Sequence, residues 1–261
     1  MRYASKTCFY LAMPSTKIRL DKLLLERGLA KSRERAQALL LAGKVLVNGQ
    51  RIDKSGAAVE PDCEIRLLGE DLKYVSRGGL KLERALQHWQ IDVRGKVCLD
   101  VGASTGGFTD CLLQHGASRV IAVDTGNGQI EFKLRQDPRV RLLEKTNARY
   151  LSRQQVAETV DFVAVDVSFI SATLVLPPVT AAAFADSKRA RALVVLIKPQ
   201  FEAGREHVGK GGIVRDPGIQ DEAVEKVRRT VASLGPHSIE VIDSPILGAE
   251  GNKEFLLYAV F

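Results

Sequence analysis

This chain of 261 residues is poor in the features that mark metal centres, disulfide scaffolds and membrane spans. Its four cysteines, Cys8, Cys63, Cys98 and Cys111, are scattered, without the short paired spacing of a zinc site or a disulfide framework. No metal site is expected, and the thiols are expected to be reduced, as in a cytoplasmic protein. The most apolar stretch, residues 172–185, is interrupted by Pro177 and Pro178 and is shorter than the ~20 residues a bilayer span requires. No membrane association is therefore expected. Residues 1–16 carry too short an apolar part for a secretion signal and are expected to form a disordered extension.

Positive charge is present in excess and unevenly placed. Residues 1–68 hold 13 Lys and Arg against 7 Asp and Glu, which is +6 of the total of +7. A basic front segment on a nearly neutral body suggests a polyanion-binding module attached to a catalytic or carrier domain.

In that front segment Leu20, Leu23 and Leu24 form one helical stripe, and Gly28 is placed to stop the helix. Ser32 can cap a second helix whose apolar side is Ala36, Leu39 and Leu40, with Gly43 at its end. Asn48-Gly49 favours a tight hairpin turn between strands at 45–47 and 51–52, and residues 64–68 make a further strand. Two short helices and a hairpin can present Arg19, Lys31, Arg33, Arg35, Lys44 and Arg51 to phosphates. Residues 17–68 resemble the small RNA-binding domain first known from ribosomal protein S-four. Polar residues 69–76 are expected to link it to a second domain spanning 77–261.

Strand-like runs in that second part, at 97–101, 120–124, 140–143, 162–166 and 192–197, alternate with amphipathic stretches. The spacing predicts a doubly wound, Rossmann-like α/β sheet, and two final strands at 238–242 and 254–261 would pair as a hairpin and make it mixed. The first strand runs into Asp100-Val-Gly-Ala-Ser-Thr-Gly-Gly-Phe-Thr-Asp110, where such sheets bind ligands. Ser104 occupies the middle glycine position of a dinucleotide fingerprint, and no lysine follows the last glycine as a phosphate-binding P-loop requires. What remains is the S-adenosylmethionine type of glycine loop. Asp100, Gly102, Ser104, Gly106 and Gly107 are its candidate residues, Asp124 can accept both hydroxyls of an adenosine ribose, and Asn147 can complete the site.

Asp166 and Lys198 each end a buried strand and should point into one crevice. Asp166 lies in Asp-Val-Ser-Phe instead of the Asn/Asp-Pro-Pro-Tyr/Phe common in amino-methylating enzymes, and no cysteine nucleophile stands near a proline there, as carbon methylation of cytosine would need. Oxygen is the favoured methyl acceptor. Burial and a neighbouring ammonium, supplied by Lys81, would lower the proton affinity of Lys198, whereas Asp166 and Glu254 oppose this.

Residues 74–86, 100–110, Thr146-Asn-Ala-Arg149, Asp166-Val-Ser-Phe-Ile-Ser171 and Lys198-Pro-Gln-Phe-Glu202 together resemble the TlyA family. The resemblance implies a ribosomal RNA ribose 2′-O-methyltransferase with an FtsJ-like catalytic domain, using S-adenosylmethionine and acting on ribosomal RNA or ribosomal subunits. It places a Lys/Asp/Lys/Glu catalytic tetrad on Lys81, Asp166, Lys198 and Glu254. One departure is Asn127, where the family usually carries tyrosine. Three readings compete with this one. A haemolysin-type membrane-active protein lacks a lytic segment here. A pseudouridine synthase is suggested superficially by Arg19-Leu20-Asp21, but a glycine-rich cofactor loop would be redundant in it. The third is an RNA-binding protein with an inactive methylase body.

Overall fold

A computed structural model describes residues 17–30, 32–68, 73–184, 191–248 and 250–261, and divides the chain between Asp71 and Leu72 into two compact units. The expected extension 1–16 and Lys31 lie outside the described residues.

The described residues of the first unit form β1 (Ile18–Arg19), α1 (Leu20–Glu26), α2 (Arg33–Leu41), β2 (Val45–Val47), β3 (Gln50–Arg51), β4 (Ala58–Val59) and β5 (Ile65–Leu67). Gly28 follows α1 with φ +68°, a conformation that costs a residue without Cβ nothing. Ser32 caps α2 by accepting a hydrogen bond from the Arg35 amide at 3.2 Å. Asn48 and Gly49 both have positive φ, the signature of the two-residue turn that matches strand twist, and β2 and β3 pair across it. β5 adds to the other side of β2, and β1 pairs with β4. Leu20, Leu23, Leu24, Ala36, Leu39, Leu40, Val45 and Val47 form the core.

The second unit opens with α3 (Gly78–His88) and continues through β6 (Val97–Val101), α4 (Gly107–Gln114), β7 (Arg119–Val123), α5 (Phe132–Arg135), β8 (Val140–Leu143), α6 (Arg153–Val156) and β9 (Phe162–Val165). After these come α7 (Leu176–Phe184), β10 (Ala192–Ile197), α8 (Pro199–Glu202), α9 (Pro217–Ala232), β11 (Ser238–Asp243) and β12 (Phe255–Val260). The sheet order is β11-β12-β10-β9-β6-β7-β8. Strands β8, β7, β6, β9 and β10 are parallel, and β12 runs antiparallel between β10 and β11. Alternate residues of each strand feed two cores. Leu99, Val163 and Val195 face α7 and α9, while Cys98, Ala164 and Val194 face α3 and α4. Burial on both faces explains why Phe162–Val165 and Ala192–Ile197 are unbroken apolar runs.

Two expectations are corrected in detail. β7 and β9 stop one residue early, which leaves Asp124 and Asp166 beyond the strand ends. Residues 73–76, read as the end of a linker, pack with the second unit, because the Tyr74 ring is buried in the α3/α4 core. The apolar stretch after residue 172 includes a nine-residue helix with both prolines in its first turn, where their missing N–H groups cost little. Among the described residues no helix is long and apolar enough to cross a membrane.

The crossing from β6 to α4 is tight. Gly102 has φ +88°, and a Cβ there would lie 2.3 Å from the carbonyl oxygen of Asp166. Gly102→Ala should lower the free energy of unfolding by about 2–4 kcal/mol, through strained backbone and a backbone clash together. Urea unfolding measures this; an unchanged midpoint would show that β6 and β9 need not approach so closely.

Candidate active site

Sheet register carries the charged groups to one edge. Val101, Val123 and Val165 are the last residues of neighbouring parallel strands, so Gly102, Asp124 and Asp166 emerge side by side at the carboxyl ends. β10 extends two residues further and delivers Lys198. Because β12 is antiparallel, its first residue pairs with the last of β10, Phe255 with Ile197, and Glu254 enters the same region from the opposite direction. Lys81 arrives from the first turns of α3.

These four side chains form two ion pairs. The Lys198 ammonium lies 2.6 Å from Asp166 Oδ1 and donates to Ser168 Oγ at 2.8 Å. Lys81 pairs with Glu254 Oε2, and both side chains are nearly sealed from solvent. Buried ions are tolerated only when paired, and each of these lysines has a carboxylate of its own. Asn252 fixes the approach to Glu254: its amide accepts from the Val214 N–H at 3.0 Å and donates to the Gly212 carbonyl at 2.8 Å.

Two clefts meet over Gly102, Ser104, Asp166 and Ser168. The smaller, about 260 Å³, is lined by Lys81, Lys198, Gly107, Phe108 and the start of α3 at Ser76, Arg77 and Gly78. The larger, about 500 Å³, has a polar end at Asp124, Thr146 and Asn147 and an apolar wall of Val123, Ala148, Val167, Ile170 and Val175. Its size and lining suit a nucleoside. The carboxylate of Asp124 braces the site by accepting from the Ser104 amide at 2.8 Å and the Gly126 amide at 2.6 Å. Asn147 Oδ1 accepts from the Arg149 amide at 3.0 Å and so also serves the turn that follows it.

Two residues counted with the cofactor loop lie behind it. Gly106 lines neither cleft, and a Cβ on it would point at Ile130 and Leu134. Asp100 is fully buried, accepts from Thr109 Oγ1 at 2.6 Å, and has no partner for its other oxygen among the described residues. Burial pushes its carboxyl up to about 7, against the opposing effect of the Thr109 hydrogen bond.

Other contributors were not singled out from the sequence. Glu202, buried in α8, accepts from Ser171 Oγ at 2.5 Å and from the Ala172 amide at 2.6 Å, with Lys226 3.6 Å away. This ties the loop after Asp166 to the helix after Lys198. Burial raises its carboxyl above the ordinary value. Phe169, on the same loop, is 93% exposed with φ +64°, and its ring centroid lies 5.3 Å from that of Phe201. A bulky residue held in that backbone region and left in solvent is a mark of function, and neither its φ nor its exposure is visible until the loop is folded.

In the first unit Arg19 and Arg33 both bond Asp21, Arg35 stands in the first turn of α2, Lys44 is half-buried, and Arg51 is exposed with its side chain beside Gly43.

The parallel sheet with one reversed strand, the glycine turn at its switch point and a nucleoside-sized cleft beside it define a Rossmann-like methyltransferase domain. Residues 74–261 match the FtsJ-like methyltransferase family and residues 18–65 match the S4 domain. YqxC of Bacillus subtilis is 46% identical, over 94% of this chain and 86% of that one. The 16S/23S rRNA (cytidine-2′-O)-methyltransferase TlyA of Mycobacterium tuberculosis is 44% identical, over 92% and 88%. A solved Streptococcus thermophilus structure that carries a hemolysin name superimposes with a TM-score of 0.69 at 43% identity, covering 94% of this chain and 89% of that one. The chain belongs to the FtsJ-like methyltransferase family, with an S4 domain in front.

Asp100 yields a pH signature. The folded protein holds its proton up to about pH 7, whereas the unfolded chain releases it near 3.8, so the folded state binds more protons in that window. The contribution of Asp100 to stability therefore falls as pH rises from about 4 to about 7 and is level above. Asp100→Asn should gain on the wild type across that interval in thermal melts. A difference independent of pH would show that Asp100 is ionised in the fold.

Proposed function

We propose that this protein transfers the methyl group of S-adenosylmethionine to a ribose 2′-hydroxyl of ribosomal RNA. The carrying observation is that Asp166 lies where the smaller cleft joins the larger one, while its partner Lys198 and the Glu254-paired Lys81 line the smaller cleft beside it.

The chain's residues fit the cofactor. Asp124 is a carboxylate just past the end of β7 for a ribose diol, the apolar wall suits an adenine, and the bare backbone of Gly102 lies in the lining of both clefts. Bound there, the cofactor supplies an electrophilic methyl group on a sulfonium. A ribose hydroxyl is a weak acid and a weak nucleophile, so the protein must align its oxygen and take its proton. Lys198, fixed by Asp166 and Ser168, gives one ammonium proton to the Asp166 carboxylate, and the freed amine orients the hydroxyl and takes its proton. Lys81, held by Glu254, adds positive potential that favours the developing alkoxide.

Phe169 and Phe201 provide an exposed aromatic face beside Asp166 on which the base of an extruded nucleotide can stack. The S4 unit supplies sequence-independent phosphate contacts through Arg19, Arg33, Arg35, Lys44 and Arg51, and Lys31 joins them in this reading. A ribosomal RNA substrate supports a cytoplasmic location. The M. tuberculosis relative, named for the same chemistry, supports the choice of substrate.

Lys198→Ala should lose about 10²- to 10⁴-fold in methyl transfer to ribosomal particles while keeping most of its RNA affinity. A rate within twofold of wild type would remove Lys198 from the chemistry. A 2′-deoxy target nucleotide should accept no methyl group, because the acceptor oxygen is missing. Transfer to that substrate would point to a base atom.

A further inference from the structure

We propose that Asp21 is a positioning residue that sets Arg19 and Arg33 as a two-guanidinium clamp for a backbone phosphate of RNA. The assignment rests on the RNA substrate proposed above and gives a role to Arg19-Leu20-Asp21, which the methyl-transfer chemistry leaves unused.

Asp21 has no exposed surface. Its Oδ1 accepts from Arg19 Nε at 3.0 Å, and its Oδ2 accepts from Arg19 Nη2 at 2.8 Å, Arg33 Nε at 3.2 Å and Gln37 Nε2 at 3.1 Å. A carboxylate so enclosed cannot reach a nucleobase, which excludes for this aspartate the catalytic role that the triplet suggests by its letters. The two-point bond from Arg19 holds its carboxyl well below the ordinary range, so it stays an anion through the neutral range.

The arginines remain half in solvent, with side chains 51% and 56% exposed. Arg19 uses Nε and one edge of Nη2 on Asp21, and Arg33 uses Nε there. Each guanidinium keeps Nη hydrogens for another acceptor. Two guanidiniums within hydrogen-bond reach of one carboxylate are close neighbours with a net charge of +1, and their repulsion is offset by the buried anion. A planar fork fixed at its Nε edge loses less rotamer freedom on meeting a phosphate than a free arginine does. Asp21 sits in the first turn of α1, and Arg33 and Gln37 sit on α2, so folding the helix pair builds the clamp.

Charge counting and positioning predict opposite signs for one substitution. Asp21→Asn makes the unit more positive by one charge, and counterion release alone would then tighten RNA binding. A clamp that has lost its anchor binds more weakly. The experiment is filter binding of full-length protein to purified ribosomal RNA across a salt series, well below the melting midpoint. We expect Asp21→Asn to bind about tenfold more weakly, with a salt slope shallower by about 1, while S-adenosylmethionine binding by the second unit is unchanged. Equal or tighter RNA binding overturns the clamp and leaves Asp21 as a brace between helices. Should Asp21→Asn not fold, Gln37→Ala leaves every charge and both arginines in place and loosens only Oδ2. It should weaken binding by about two- to threefold, and unchanged affinity there overturns the proposal. Wild-type protein that shows no salt-dependent RNA binding would instead overturn the RNA reading itself, which separates the two failures.

Discussion

Everything at the candidate site depends on the direction of β12. In a wholly parallel sheet each strand would leave the carboxyl edge carrying one residue forward into a loop, and nothing would return. β12 runs against β10, so its beginning lies at the finish of its neighbour, and Glu254 enters beside Lys198. From there it reaches Lys81 on α3, a helix 173 residues earlier in the chain. One reversed strand thus brings a second ion pair to the edge where the parallel strands carry the first.

The two pairs are electrically balanced. Two lysines and two carboxylates can share a half-buried cleft because each cation has its own anion, which offsets the desolvation that either would suffer alone. The surrounding contacts are of the kind that keeps such groups still: Asn252 before Glu254, Ser168 at Lys198, and Glu202 stitching the two loops together. A similar device recurs in the S4 unit, where one enclosed aspartate holds two arginines at the surface.

Local pattern suffices where backbone preference decides the structure. The helix stripe at Leu20, Leu23 and Leu24, the Ser32 cap and the Asn48-Gly49 turn were legible because each is decided by backbone preference within a few residues. Strands β6, β8 and β10 were legible to the residue, since their apolar runs are bounded by turn residues. The ends of β7 and β9 were less so, because a carboxylate following an apolar run reads as strand until the cleft beyond it is known. Gly106 looked like part of the ligand loop because it stands in the glycine cluster, yet which glycine faces a ligand depends on the turn's path in space.

By itself the sequence determined the elements, the glycine turn at the first strand end and the set of ionisable residues that could meet, since these follow from periodicity, capping and residue chemistry. Only the tertiary structure decided the pairing: Lys81 with Glu254, Lys198 with Asp166, Arg19 and Arg33 with Asp21, and Asp100 beneath the turn instead of in the cleft. The physical reason is that an ion pair is fixed by distance and burial, and both are properties of strand register and helix packing between segments far apart in the chain.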